Sequence, residues 1–181
     1  IAPRVANFFT QTPVLSGLFK KAGGIEQKRK VPEFAPETFR KWFKSRKNPQ
    51  GSITGQRVIL WADTFNNFFQ PETLIAGVEV LEAAGFEVVV PKQMLCCGRP
   101  LYDYGMLDTA KHLLKEILET LKDEIEKGTP LVGLEPSCIA VFKDELADLF
   151  PTDNNAKRLC AQSYSLGEFF QKYAPGFTVP K

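Results

Sequence analysis

The sequence predicts an α/β domain: a short, mostly parallel sheet flanked by helices in three layers, preceded by a basic helical arm. Three observations predict it. After Gly55, apolar runs of strand length alternate with stretches of helical period. The runs are continuously apolar, as in strands covered on both faces. Proline and glycine punctuate the helical stretches at the ends each residue favours.

Residues 1–55 read as the arm and residues 56–181 as the α/β domain. In the arm, "PVLSGLF" suits a short helix, and "GGIEQKRKVPEFAP" is a loop broken by Gly and Pro. "PETFRKWFKSR" predicts an amphipathic helix opened by Pro36, with Phe39, Trp42 and Phe43 on one face. "KNPQGSITG" reads as a linker. "RVILW", from Arg57 to Trp61, is the first strand. "PETLIAGVEVLEAAG" follows as a helix, with Pro71 in its first turn, Leu74, Val78 and Leu81 on one face, and Gly85 at its end. Phe86 to Val90 is a second strand, closed by Pro91. A cysteine-bearing loop precedes one long helix, whose stripe is Leu107, Ala110, Leu114, Ile117, Leu121 and Ile125 and which Gly128 ends. "PLVGLE" is a third strand. "PSCIAVFKDELADLF" is a helix with Ile139, Phe142, Leu146 and Leu149 inward. In "SLGEFFQKYA", Ser165 and Glu168 have capping-box spacing.

Composition excludes several classes. No run approaches the roughly 20 apolar residues of a membrane span. The start, "IAPRVANFFT", lacks the ordered regions of a signal peptide, and with no initiating Met it reads as part of a longer protein. Four cysteines in 181 residues do not suggest a disulfide scaffold, so reducing cytoplasm is the expected compartment. Charge divides unevenly: residues 1–50 hold 11 Lys/Arg against 3 Asp/Glu, and residues 51–181 hold 12 against 18. A basic arm suits nucleic acid, an anionic membrane or an acidic neighbouring domain. "KKAGGIEQKRK" has no interleaved aromatics for base stacking, so an acidic domain is the expected partner and nucleic acid is not.

In an open α/β sheet, ligands bind beyond the carboxyl ends of the strands. Three segments reach that edge: Ala62-Asp63-Thr64, Met94 to Gly98, and Glu135-Pro136-Ser137-Cys138. Asp63, Cys96, Cys97, Glu135 and Cys138 can therefore converge although they are far apart in sequence. Cys138 falls in a first helical turn, where unpaired N–H groups favour a thiolate. Gly98 permits close approach of the backbone to a bulky ligand, and Arg99 can balance a thiolate-rich centre. The same cysteines are also compatible with inert buried thiols, a vicinal disulfide or a zinc site. Cys160 reads as a small core or surface residue, and His112, mid-helix, as packed or solvated. With a single His and no Gly-x-Ser-x-Gly, a hydrolase triad has little support. The sequence contains no Gly-x-Gly-x-x-Gly and no Walker loop.

At these residues the chain resembles the cysteine-rich CCG domain found in heterodisulfide reductases, glycolate oxidase iron–sulfur subunits and lactate-utilisation proteins. It is most similar to fused FAD-linked oxidase/Fe–S oxidoreductases, through "FAPETFRKWF", "DTFNNFFQPET", "CCGRPLYDYGMLDTAK" and "LEPSC". The resemblance implies a Rossmann-like domain and an iron–sulfur cluster with Cys96, Cys97 and Cys138 as ligands. It also implies an electron-transfer role in a flavin-linked 2-hydroxy-acid oxidoreductase of the glycolate, lactate or 2-hydroxyglutarate class. The implied partners are FAD-binding and ferredoxin-like modules of the same polypeptide, a second CCG repeat and a downstream electron acceptor. Any membrane association would come through the full-length protein, and the piece alone is not expected to turn over substrate. The family's fullest pattern is Cys, Cys-Cys and Cys-x-x-Cys at gaps of thirty-odd residues. Here 32 residues separate Asp63 from Cys96, and 37 separate Cys97 from Glu135. The register fits, but carboxylates stand at two of the five positions. Asp63 and Glu135 are then oxygen ligands or structural caps. Three thiolates are one short of the usual four. A cluster-free scaffold and a zinc-stabilised docking domain remain the alternatives.

Overall fold

A computed structural model of the chain describes residues 3–46 and 55–178. The predicted linker, residues 47–55, lies almost wholly outside the described residues.

Twelve helices and four strands follow in order among the described residues. They are α1 (Pro3–Gln11), α2 (Pro13–Ala22), α3 (Phe39–Ser45), β1 (Arg57–Trp61), α4 (Thr64–Phe68), α5 (Pro71–Ala83), β2 (Glu87–Val89) and α6 (Arg99–Asp103). Then come α7 (Leu107–Thr120), α8 (Lys122–Glu126), β3 (Leu131–Gly133), α9 (Pro136–Lys143), α10 (Glu145–Leu149), α11 (Asn154–Gln162), β4 (Ser163–Ser165) and α12 (Leu166–Tyr173). The sheet runs β2-β1-β3-β4 and every pair is parallel, with Ile59 opposite Val89 on one side and Leu131 on the other.

The α/β architecture matches the sequence reading, and the three layers follow from strand alternation. Along β1, Ile59 and Trp61 face one core with α7 to α11, while Val58, Leu60 and Ala62 face another with α3, α5 and α12. Trp61 meets Phe142 edge-on at 4.8 Å in the first core; Phe86 meets Phe169 at 4.8 Å in the second. Phe39 of α3 is fully buried in the second core. Arg46, at the end of α3, pairs with the buried Glu82 of α5 at 2.7 Å.

Several local readings are corrected. α3 starts at Phe39 rather than at Pro36, because Thr38 caps it by accepting from Lys41 N. The long helix after the cysteine loop is two, α7 and α8, with a break at Leu121. Leu107, placed on its buried stripe, is about half exposed, while Leu118 is buried. "PSCIAVFKDELADLF" is also two helices, broken at Asp144 (φ −112°, ψ −73°). Helices α1, α4, α6 and α11 and strand β4 were not read from the sequence. The capping box at Ser165 and Glu168 is present in both directions. No described helix is long and apolar enough to cross a membrane.

Candidate redox site

β1 connects to β2 on one side of the sheet, and β3 lies on its other side. The crevice between the carboxyl ends of β1 and β3 is therefore the topological switch point, where such sheets place ligands. A cavity of about 210 Å³ opens there. Trp61, Asp63, Thr64 and Phe65 line it from β1 and α4. Cys96, Cys97, Arg99 and Pro100 line it from the β2 loop and α6, and Glu135, Ser137 and Cys138 from the start of α9. All five ligand candidates read from the sequence reach this cavity.

The thiols occupy it unequally. Cys97 and Cys138 are buried and their sulfurs lie 3.0 Å apart; Cys96 is exposed. Gly98 adopts the left-handed conformation (φ +75°), which turns the chain sharply into α6 directly after the cysteine pair. Hydrogen bonding to Cys138, and then burial, pushes the Cys97 thiol up to about 12. Hydrogen bonding to Cys97, and then burial, also raises Cys96. The pair is thus held protonated, and a thiolate-binding ligand must displace those protons. Cys160 sits elsewhere, donating to the Lys143 carbonyl at 2.7 Å. His112 is exposed on α7.

The carboxylates do something different. Asp63 is buried and caps α4: its Oδ1 accepts from Asn66 N at 2.9 Å and its Oδ2 from Asn66 Nδ2 at 2.8 Å. Glu135 caps α9: its Oε1 accepts from Ser137 N at 3.2 Å and from Ser137 Oγ at 2.8 Å. Both side chains fold back on their own helices, the behaviour of Asx-type and N-cap residues. Arg99 lines the cavity but pairs outward with Glu145 and with Asp103. Among the described residues, no three His, Cys, Asp or Glu side chains are arranged to hold a single metal ion.

Two further groups were not assigned to the site from the sequence. Among the described residues, the Trp61 indole Nε1 is buried with no hydrogen-bond partner, and so is the hydroxyl of Tyr102, which packs against the core holding Cys97. Burial, then the charge of Glu145 and the neighbouring Cys97, raise the Tyr102 phenol to about 12. An orphaned buried donor is costly and calls for an acceptor. An aromatic residue closing a strand that ends at the ligand edge is the signal that could have found Trp61. These donors and the three thiols fit a sulfur-rich anionic group in kind. Cys96, Cys97 and Cys138 are the residues that would hold it; Asp63 and Glu135 line the same cavity with their carboxylates engaged in capping.

Residues 63–143 match the family model described as the CCG cysteine-rich domain. The chain is 26% identical over 155 residues to a subunit of the anaerobic glycerol-3-phosphate dehydrogenase of Escherichia coli (strain K12), covering 85% of this chain and 39% of that protein. It is 33% identical over 117 residues to lactate utilization protein A of Bacillus subtilis (strain 168), covering 62% of this chain and 47% of that protein. The chain thus spans less than half the length of these curated relatives. No solved structure matches it. With its cysteine pair on the β2 loop and Cys138 opposite, the chain carries a CCG cysteine-rich domain.

Proposed function

We propose that this chain is the electron-transfer domain of a multi-module, flavin-linked oxidoreductase acting on a small 2-hydroxy acid, with an iron–sulfur centre at Cys96, Cys97 and Cys138. The observation that carries the reading is the convergence of three thiols, from the β2 loop and α9, on one cavity at the sheet's switch point. The similarity to a lactate utilization protein and to a dehydrogenase subunit supports the redox setting and a small hydroxylated substrate. A bound iron–sulfur centre supplies one-electron transfer, tuned by its ligands and their hydrogen bonds. The chain's own residues then have distinct tasks. Cys97 and Cys138 approach from the buried side, and Cys96 from the solvent side. Trp61 lines the cavity with an unpartnered indole N–H of the kind that suits a sulfur acceptor, Tyr102 packs against the core that holds Cys97, and Phe65 and Pro100 help screen the cavity from water. Asp63 and Glu135 hold the two helix starts that set the cavity's width.

The test is anaerobic reconstitution of the chain with iron and sulfide, followed by metal and sulfide analysis. Wild type is expected to retain both, and Cys97→Ser and Cys138→Ser to lose them while keeping the far-UV spectrum. A folded wild type that retains neither leaves the second reading, a cluster-free docking domain between redox modules. That reading is favoured by a specific observation, the commitment of Asp63 and Glu135 to capping. Zinc retained in place of iron would point to the zinc-stabilised alternative.

A further inference from the structure

A second cavity, of about 760 Å³, lies where α3 meets the segment leaving β2. Its size falls in the range of small-molecule sites. Arg40, Lys41 and Lys44 line it from α3, and Lys92 from the β2 exit, with Phe43 and Pro91 as apolar walls. Among the described residues, no lining residue is acidic.

Arg40 is the informative group. One end of its guanidinium donates to the Pro91 carbonyl, which fixes the side chain across the cavity wall. Its Nε is buried without a hydrogen-bond partner among the described residues. Burial lowers its pKa from the ordinary arginine value, with no carboxylate opposing the shift. The chain's other partly buried arginines are treated differently: Arg46 pairs with Glu82 and Arg99 with Glu145. Among the described residues, Arg40 has no such acid. Lys41 shares Glu37 at 3.4 Å, an exposed pair, and among the described residues no carboxylate pairs with the other three cations. A desolvated cation without a counter-charge is unfavourable, and an anion entering the cavity relieves it.

The shape and charge restrict what that anion is. A guanidinium and clustered ammonium groups suit a multivalent oxyanion better than a single carboxylate. The cavity far exceeds the volume of a bare phosphate, and Phe43 and Pro91 give an organic group apolar surface. Lys92 follows the carboxyl end of edge strand β2, on the segment that leads to the cysteine pair, so the cavity lies on a different flank of the sheet from the thiol site. We infer that this cavity binds an organic phosphate, its phosphate on Arg40, Lys44 and Lys92 and its body against Phe43 and Pro91. This site is independent of the iron–sulfur reading.

The test is isothermal titration of the whole chain with ADP and with inorganic pyrophosphate at low ionic strength. ADP is expected to bind saturably at one site and more tightly than pyrophosphate, with affinity falling as salt screens the charges. Lys44→Gln with Lys92→Gln should weaken ADP roughly tenfold, the loss expected when two partly solvated charge contacts disappear. Both lysines are exposed, so that variant should stay folded. Arg40→Gln should weaken binding further, and Arg40→Lys should not restore it, because one ammonium cannot replace the fork. Lys20→Gln, remote from the cavity, should change nothing. Failure of the folded wild type to bind ADP overturns the inference, as does ADP binding that the Lys44/Lys92 variant leaves intact. Pyrophosphate binding without ADP binding overturns the organic part. Iron content is a separate readout and is expected to be equal in wild type and in the lysine variant.

Discussion

Asp63 occupies a cysteine position of the CCG pattern, yet its carboxylate is spent on α4, and Asp63→Ala separates the two roles. The side chain is 3% exposed and accepts two hydrogen bonds, from Asn66 N at 2.9 Å and from Asn66 Nδ2 at 2.8 Å. Loss of the cap costs about 1 kcal/mol. The Asn66 amide, itself 8% exposed, then loses its acceptor. An unsatisfied buried donor costs a further ~1–3 kcal/mol. The two effects together give about 2–4 kcal/mol of destabilisation. Urea unfolding followed by circular dichroism reads this directly. With a slope of about 2 kcal/mol/M, the midpoint falls by about 1–2 M at unchanged slope. Asp63→Ser keeps the capping oxygen but not the second bond, so its midpoint should lie between those of wild type and the alanine variant. Iron retention per folded molecule should be the same in all three. A stability within about 0.5 kcal/mol of wild type, the range of an ordinary surface change, would refute the capping argument. Iron lost from a fully stable Asp63→Ala chain would instead make Asp63 a ligand.

Glu135→Ala should lower the melting temperature by about 2–4 °C, the shift for loss of a cap worth about 1 kcal/mol in a domain of this size, measured by thermal denaturation. Gly98→Ala forces a side chain into φ +75° and sets its Cβ 3.4 Å from Leu113 Cδ1, so a loss of about 1–2 kcal/mol is expected in the same urea assay. Glu168 is held down to about 2 by hydrogen bonds from Lys143 and then from Ser165. Its folded-state value lies below the unfolded value of about 4.3, so its contribution is present above that pH and is lost as pH falls toward 2. The residue is exposed, so the contribution is small and shrinks with salt; Glu168→Gln should flatten the acid limb of the melting-temperature profile in that window.

The sequence by itself determined the frame. Arg57 to Trp61 is legible because a strand covered on both faces must be apolar at every position, and β1 buries Val58 to Trp61. The α5 stripe and the α12 capping box are legible because helical period and N-cap chemistry are local. The cysteine pair, Cys138 and the strand-end rule together brought the correct segments to one edge.

Tertiary structure decided the rest, wherever the deciding partner is distant in the chain or belongs to the backbone. Strand β4, "SYS", has no apolar run; it exists because β3 offers it a parallel backbone ladder, which side-chain patterns do not encode. Arg99 is placed by its sequence position to balance a thiolate-rich centre, and it lines the cavity, but its guanidinium also pairs with Glu145, 46 residues later, which no local pattern encodes. Asp63 and Glu135 keep the register of ligands and line the cavity, yet a carboxylate beside a helix start also finds the free N–H groups of the first turn, and both are engaged there. Sequence spacing placed five groups at the site; only packing decided that Asp63 and Glu135 cap helix starts there, and that Cys97 and Cys138 lie buried against each other while Cys96 is exposed.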